Sequence, residues 1–228
     1  MEHAARWRAG PLAVMRGAPE GLRARTVPAP GGPLIVYESD DLDRDLDHAI
    51  ASGGPAPYGR VLWPSAHAAA SALLALLRAH RAEHGEPPSV VELGCGTGLC
   101  ALVAARAGAK VLATDVDQGA LVAVRAAAIQ FPGAQLTTAL FDVCNSAVMP
   151  AGDIVMAADL LYEEDLSRAM ARRAREALAR GSIVIVGDPG RAFRPRFDED
   201  LRDHGTVPEW RPAAQDGPAH GVAVAVLR

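Results

Sequence analysis

Ser89 to Leu99 reads SVVELGCGTGL: a β-branched run into the acid Glu92, then glycines at Gly94, Gly96 and Gly98. Branched side chains favour a strand, and closely spaced glycines make a turn whose backbone a ligand can approach. Residues 101–109 supply a helix, and Lys110 to Asp115 (KVLATD) supply a second strand ending in an acid. That acid lies 23 residues after Glu92, near the spacing at which a Rossmann-like fold meets a ribose hydroxyl. Strand, glycine turn, helix, strand and acid together read as a nucleoside-cofactor site.

Downstream, the pattern alternates as a doubly wound sheet should. Strands are predicted near 89–93, 110–115, 135–140, 153–158 and 182–187, with helices near 98–108, 118–130, 164–179 and 192–203. Asp117 is placed to cap the helix starting at Gln118. A last apolar strand, Val222 to Leu227, follows a turn containing Asp216 and Gly217 and is expected antiparallel at the sheet edge. The predicted class is α/β: a Rossmann-like, doubly wound seven-stranded sheet with helices on both faces and the last strand antiparallel.

Upstream, residues 1–33 are rich in Arg, Pro and Gly and are read as an irregular arm. A short strand from Leu34 runs into six acids between Glu38 and Asp47, read as a solvated face. Asp41 to Ile50 can form a helix with Leu42, Leu46, Ala49 and Ile50 on one side. Gly53 to Gly59 is a hinge, and Trp63-Pro64 opens a helix near Ser65 whose buried stripe is Leu73, Leu74, Leu76 and Leu77. Residues 1–60 are thus an arm and acidic segment, and 61–228 the main domain. The sequence shows no internal repeat.

The net charge of −4, from 23 basic and 27 acidic residues, gives no global pull toward nucleic acid. Arg168, Arg172, Arg173, Arg175 and Arg180 lie on or just beyond one predicted helix and read as a solvated face. Arg191, Arg194 and Arg196 follow the GDPG turn nearer the site, where they could meet a substrate's acidic surface or RNA phosphates; a protein acceptor is favoured over nucleic acid. Cys95, Cys100 and Cys144 form neither a disulfide framework nor a CxxC zinc spacing, which fits a reducing compartment. No apolar run approaches a membrane span, and Arg6 and Arg8 precede no apolar signal core. The expected location is cytoplasmic, or the mitochondrial matrix in a eukaryotic source.

From Trp63 to the C-terminal strand the chain resembles the class I (seven-β-strand) S-adenosylmethionine-dependent methyltransferases. ELGCGTG is similar to their first motif, ATD (Ala113 to Asp115) to their second, and Phe141-Asp142 to their adenine-binding acid. The resemblance implies S-adenosylmethionine as cofactor, with Trp63, Glu92, Gly94, Cys95, Gly96, Gly98, Asp115, Asp142 and Ala158 around it. Glu92 would meet the ammonium end, Asp115 the ribose hydroxyls and Asp142 the adenine amine.

The fourth core strand ends in ADLLYEEDL, giving Asp159 and Tyr162 as a DxxY element. Enzymes that methylate planar amide-like nitrogens carry Asp/Asn-Pro-Pro-Tyr here. Leu160 and Leu161 replace the prolines, which favours a basic tetrahedral amine. Trp63-Pro64 with DxxY resembles the non-histone protein-lysine methyltransferase group, and GDPGR (Gly187 to Arg191) resembles the branch acting on the electron transfer flavoprotein β subunit. The implied reaction is in-line transfer to a lysine amine, with Asp159 orienting the amine, Tyr162 shaping the pocket, no metal and no covalent enzyme intermediate. Alternatives are a small-molecule (nicotinamide-like) N-methyltransferase, a histidine acceptor, or a cofactor-binding scaffold without activity.

Overall fold

Four of the strand runs, near 89–93, 110–115, 153–158 and 182–187, are buried almost throughout, so they read as mostly apolar stretches instead of alternating ones. The computed structural model describes residues 18–213 and 218–228, so Arg6, Arg8 and the Asp216–Gly217 turn lie outside the described residues. In chain order the elements are β1 (Leu22–Val27), β2 (Leu34–Ser39), α1 (Leu42–Ser52), a 3-10 turn (Pro57–Arg60), α2 (Pro64–His84), β3 (Val90–Leu93) and α3 (Leu99–Arg106). There follow β4 (Val111–Asp115), α4 (Gln118–Ala128), β5 (Leu136–Leu140), β6 (Ile154–Ala158), α5 (Glu164–Leu178), β7 (Ile183–Asp188), α6 (Arg194–Arg202), β8 (Trp210–Pro212) and β9 (Ala223–Leu227).

The main sheet has seven strands in the order β5-β4-β3-β6-β7-β9-β8. The first five are parallel, and β9 runs antiparallel to both its neighbours. Register pairs Asp115 with Leu140 and Ala158 with Gly187, so the carboxyl ends of β3 to β7 finish along one rim. Ligands of open α/β sheets bind at such a rim, beside the point where strand order reverses. Close packing of α2 on this rim depends on Gly187, where a Cβ would lie 2.9 Å from the Ser65 carbonyl oxygen.

Three expectations change. The residues before 34 include a strand: β1 pairs with β2 in an antiparallel hairpin. The last strand is interior to the sheet, because β8 pairs outside it and forms the edge. Trp210 anchors β8 through an indole N–H donated to Asp198 at 2.9 Å and an edge contact with Phe197. The helix α1 forms where it was expected, with Leu42, Leu46 and Ala49 half-buried and Ile50 78% exposed.

The acids from Glu38 to Asp47 are only in part a solvated face. Glu38 is buried, accepts from Arg25 and receives the Leu62 amide, while Asp45 pairs with Arg44 and Arg60. The hairpin is tied to α4 by Gln130, whose side-chain amide exchanges hydrogen bonds with both backbone groups of Ile35. No helix among the described residues is long and apolar enough to cross a membrane.

Candidate functional site

The glycine turn after β3 has the conformation its composition predicts. Gly94, Gly96 and Gly98 have φ of 61°, 51° and 77°, a region that side chains with a Cβ rarely adopt. Space forbids a side chain there as well: a Cβ on Gly94 would come within 2.6 Å of Leu160, and one on Gly98 within 2.5 Å of Val124. The turn is closed by the Cys95 amide on Thr114 oxygen and the Gly98 amide on Cys95 oxygen, each at 2.8 Å. Cys95 and Gly98 serve that geometry, and neither lines the cleft.

Asp115, ending β4, holds the turn in place. One carboxylate oxygen accepts the Gly96 amide and the other the Asp117 amide, both at 2.9 Å. Burial pushes its pKa up, and these amides pull it partly back. Asp117 caps α4 by accepting the Gly119 amide and also binds Arg60 at 2.7 Å. Arg60 thereby clamps the Pro57–Arg60 turn over the glycine turn, where a Cβ on Gly96 would lie 3.1 Å from Gly59 oxygen.

Glu92 faces elsewhere. It is 3% exposed, accepts the Ala101 amide at 2.8 Å, and closes the first turn of α3 from behind. Burial raises its carboxyl to about 8. It is not among the residues lining the cleft, and its carboxylate lies behind the glycine turn.

Beneath the Pro57–Arg60 turn lies a cavity of about 110 Å³. Gly94, Gly96, Asp115 and Asp142 supply its polar floor, and Val116, Phe141, Ala158 and Leu166 its apolar walls. Asp142 also accepts the Cys144 amide, which fixes the loop after β5. Taken alone the volume falls below the roughly 300 Å³ at which pockets for drug-sized ligands begin. A second chamber of about 310 Å³ adjoins it and shares Tyr58, Trp63, Asp159 and Tyr162, with Arg191 on its far side. A side-chain-free glycine cradle, two carboxylates and apolar walls suit a nucleoside with a polar tail.

Asp159 stands where the two chambers meet. Its φ of 62° is the only positive value at a non-glycine among the described residues. Such strain is maintained where the surroundings over-determine it. Here the Asp159 amide is pinned by Gly187 oxygen at 2.9 Å. One carboxylate oxygen takes two donors from Arg191, at 2.7 and 2.6 Å, while the other is buried without a partner. Tyr58 and Tyr162 meet edge to face at 6.1 Å, and Trp63 donates its indole N–H to Tyr58 oxygen at 2.9 Å. Burial raises the Tyr162 hydroxyl to about 12, so it stays protonated.

Sequence reasoning missed Tyr58 and Gly59, which it took for a hinge, and took Arg173 for a solvated arginine. Arg173 is in fact 2% exposed. It donates to the carbonyls of Val143, Asn145 and Ala147 and lies over the Phe141 ring, holding the loop that carries Asp142. Its depth depends on α5 packing against that loop, so no local pattern announces it.

A family model described as lysine methyltransferase matches residues 47–192. A search of curated proteins returned no match. Among solved structures, the magnesium protoporphyrin IX methyltransferase of Synechocystis PCC 6803, with SAH bound, is similar at TM-score 0.56 and 17% identity, covering 82% of this chain and 100% of that one. The CcbJ methyltransferase of Streptomyces caelestis is similar at 0.54 and 19% identity, covering 83% and 96%. The glycopeptide N-methyltransferase MtfA, complexed with sinefungin, is similar at 0.53 and 14% identity, covering 68% and 93%. At these identities the likeness is one of fold.

Proposed function

The chain belongs to the lysine methyltransferase family, and from that premise we propose that it is an S-adenosylmethionine-dependent enzyme that methylates the side-chain amine of a protein lysine. The observation that carries the acceptor reading is Asp159, held in a strained conformation where the glycine-floored cavity opens into a chamber walled by Tyr58, Trp63 and Tyr162. A carboxylate among aromatic faces suits a basic amine, because the ring faces and the anion both attract its charged form.

Asp115 and Asp142 would hold the nucleoside, and the backbone at Gly94 and Gly96 the polar tail. Bound S-adenosylmethionine supplies an electrophilic methyl group on its sulfonium. The protein's own work is to present the amine. An ordinary lysine has a pKa near 10.4, so its lone pair is blocked at neutral pH until the ammonium gives a proton to water. Transfer out of water favours that loss, and the Asp159 charge opposes it. Asp159 accepts an amine hydrogen and orients the nitrogen, while Tyr162, Trp63 and Tyr58 exclude water and fix the approach. Positioning of this kind can supply about 7 kcal/mol or more of the barrier reduction.

As the acceptor protein we propose the electron transfer flavoprotein β subunit, in keeping with the GDPGR turn, and as the compartment the cytoplasm. The test is to incubate purified enzyme with methyl-labelled S-adenosylmethionine and either that subunit or a cognate lysate. The modified residue is then mapped by mass spectrometry. Label on a lysine is the expected result. Label confined to small molecules, to histidine, or to nothing would overturn it.

A further inference from the structure

Arg191 fills the acceptor chamber with a cation of the chain's own. Its place is fixed by the turn after β7, where Asp188 accepts the Gly190 and Arg191 amides at 2.7 and 2.9 Å. From there the guanidinium reaches Asp159 and lies 5.2 Å from the centre of the Trp63 ring. It touches the two groups a substrate ammonium would need: the carboxylate and an aromatic face.

The pairing is imperfect in a telling way. Arginine and carboxylate pair best fork to fork, with one donor for each oxygen. Here Nε and Nη2 converge on the same Asp159 oxygen, and the second oxygen is buried with no donor. An ammonium, with three donors on a compact head, can serve both oxygens. The Arg191 side chain is 33% exposed against 3% for Asp159, so the guanidinium has a path outward and the carboxylate has none.

We propose that Arg191 is a displaceable internal occupant of the acceptor's cation site, which a lysine ammonium ejects on binding. The proposal rests on the reading of the acceptor as a basic amine. Charge makes the exchange selective. Asp188 is fully buried and repels Asp159, and its ion-pair partner among the described residues is Arg194 at 3.8 Å. Withdrawal of Arg191 leaves Asp159 an unpaired buried anion, a costly state that only an incoming cation relieves. A neutral side chain of the same shape leaves the guanidinium where it is.

The test is an NMR titration of the full chain labelled with ¹⁵N-arginine and ¹⁵N-tryptophan. The Arg191 Nε–H resonance is assigned by its loss in Arg191→Lys, which keeps the charge. The probes are Nα-acetyl-lysine methylamide and its uncharged isostere Nα-acetyl-norleucine methylamide. The lysine probe should move the Arg191 Nε–H resonance toward that of a solvent-exposed arginine and shift the Trp63 indole signal with the same saturation curve. The norleucine probe should move neither. In Arg191→Gln, checked for folding by circular dichroism, the lysine probe should bind about tenfold tighter.

A lysine probe that saturates Trp63 while Arg191 stays fixed overturns the proposal, as do equal responses to both probes or none to either. If Arg191→Gln does not fold, the wild-type titration decides alone. Label transfer to lysine with an unmoved Arg191 sinks this inference and keeps the function. Release of Arg191 by the lysine probe without lysine methylation does the reverse.

Discussion

The Glu92 carboxylate accepts the Ala101 amide at 2.8 Å, so an acid near the end of β3 serves the N-terminus of α3. A partial positive charge at a helix start favours such an anion. Burial outweighs that and raises the group from its ordinary 4.5 to about 8. Between those values the native state holds a proton that the unfolded state has lost. Stability therefore falls as pH rises through this window, by up to about 1.4 kcal/mol per unit. Glu92→Gln keeps the shape and cannot ionise. Its melting temperature should gain on the parent's as pH goes from 6 to 8; parallel curves would refute the assignment. Asp115 and Asp188 shift in the same direction, so the comparison between variants is what isolates Glu92. Affinity for S-adenosylhomocysteine, by calorimetry, should change less than about threefold at pH 6.

Asp159→Asn removes the charge that orients the amine and leaves the glycine cradle alone. The kcat for methyl transfer should fall at least about 100-fold, the low end for a positioned acid or base. Affinity for S-adenosylhomocysteine should stay within about threefold. Parallel loss of both would assign Asp159 to holding the cofactor.

Tyr162 is protonated up to about pH 12, which removes it as a general base. Tyr162→Phe should leave the shape of the pH–rate profile unchanged and lower kcat less than about tenfold, whereas Tyr162→Ala opens the chamber wall and should cost more. A basic limb that disappears in Tyr162→Phe would contradict this.

Arg173→Met strips donors from the carbonyls of Val143, Asn145 and Ala147. Arg172 still donates to the Val143 and Asn145 carbonyls, so of the three only Ala147 loses its donor outright, and each hydrogen bond removed costs about 1 kcal/mol. The variant should melt lower by several degrees and bind S-adenosylhomocysteine about tenfold more weakly, because the loop it releases carries Asp142. The acceptor KM should be unchanged, which separates this role from general loss of structure.

Gly94→Ala places a methyl group 2.6 Å from Leu160 at a φ of 61°. Leu160→Ala relieves the clash but not the backbone strain of about 1–3 kcal/mol. The double variant should recover part of the lost cofactor affinity; full recovery would show that crowding alone mattered.

The central strands were legible because burial on both faces writes an uninterrupted apolar run into the chain. β1 and β8 were not. LRARTV carries two arginines on a mostly exposed strand, and WRP is three residues long with a proline. Asp159 and Tyr162 could be found from their place at the end of β6. The Asp159–Arg191 pair could not, because its members lie 32 residues apart and meet through the register of Ala158 with Gly187. Tyr58 was hidden because a turn rich in glycine and proline gives no sign of what it will cover.

β9, the last of the described strands, is gripped on both sides, by β7 and by β8. During synthesis β7 emerges before β9 and waits with one hydrogen-bonding edge open until residues 223–227 follow. At about 5–20 residues per second that interval lasts seconds. An open, apolar strand edge of that age is a ready template for a neighbouring nascent chain. Crowded translation is then a condition that exposes this protein to aggregation.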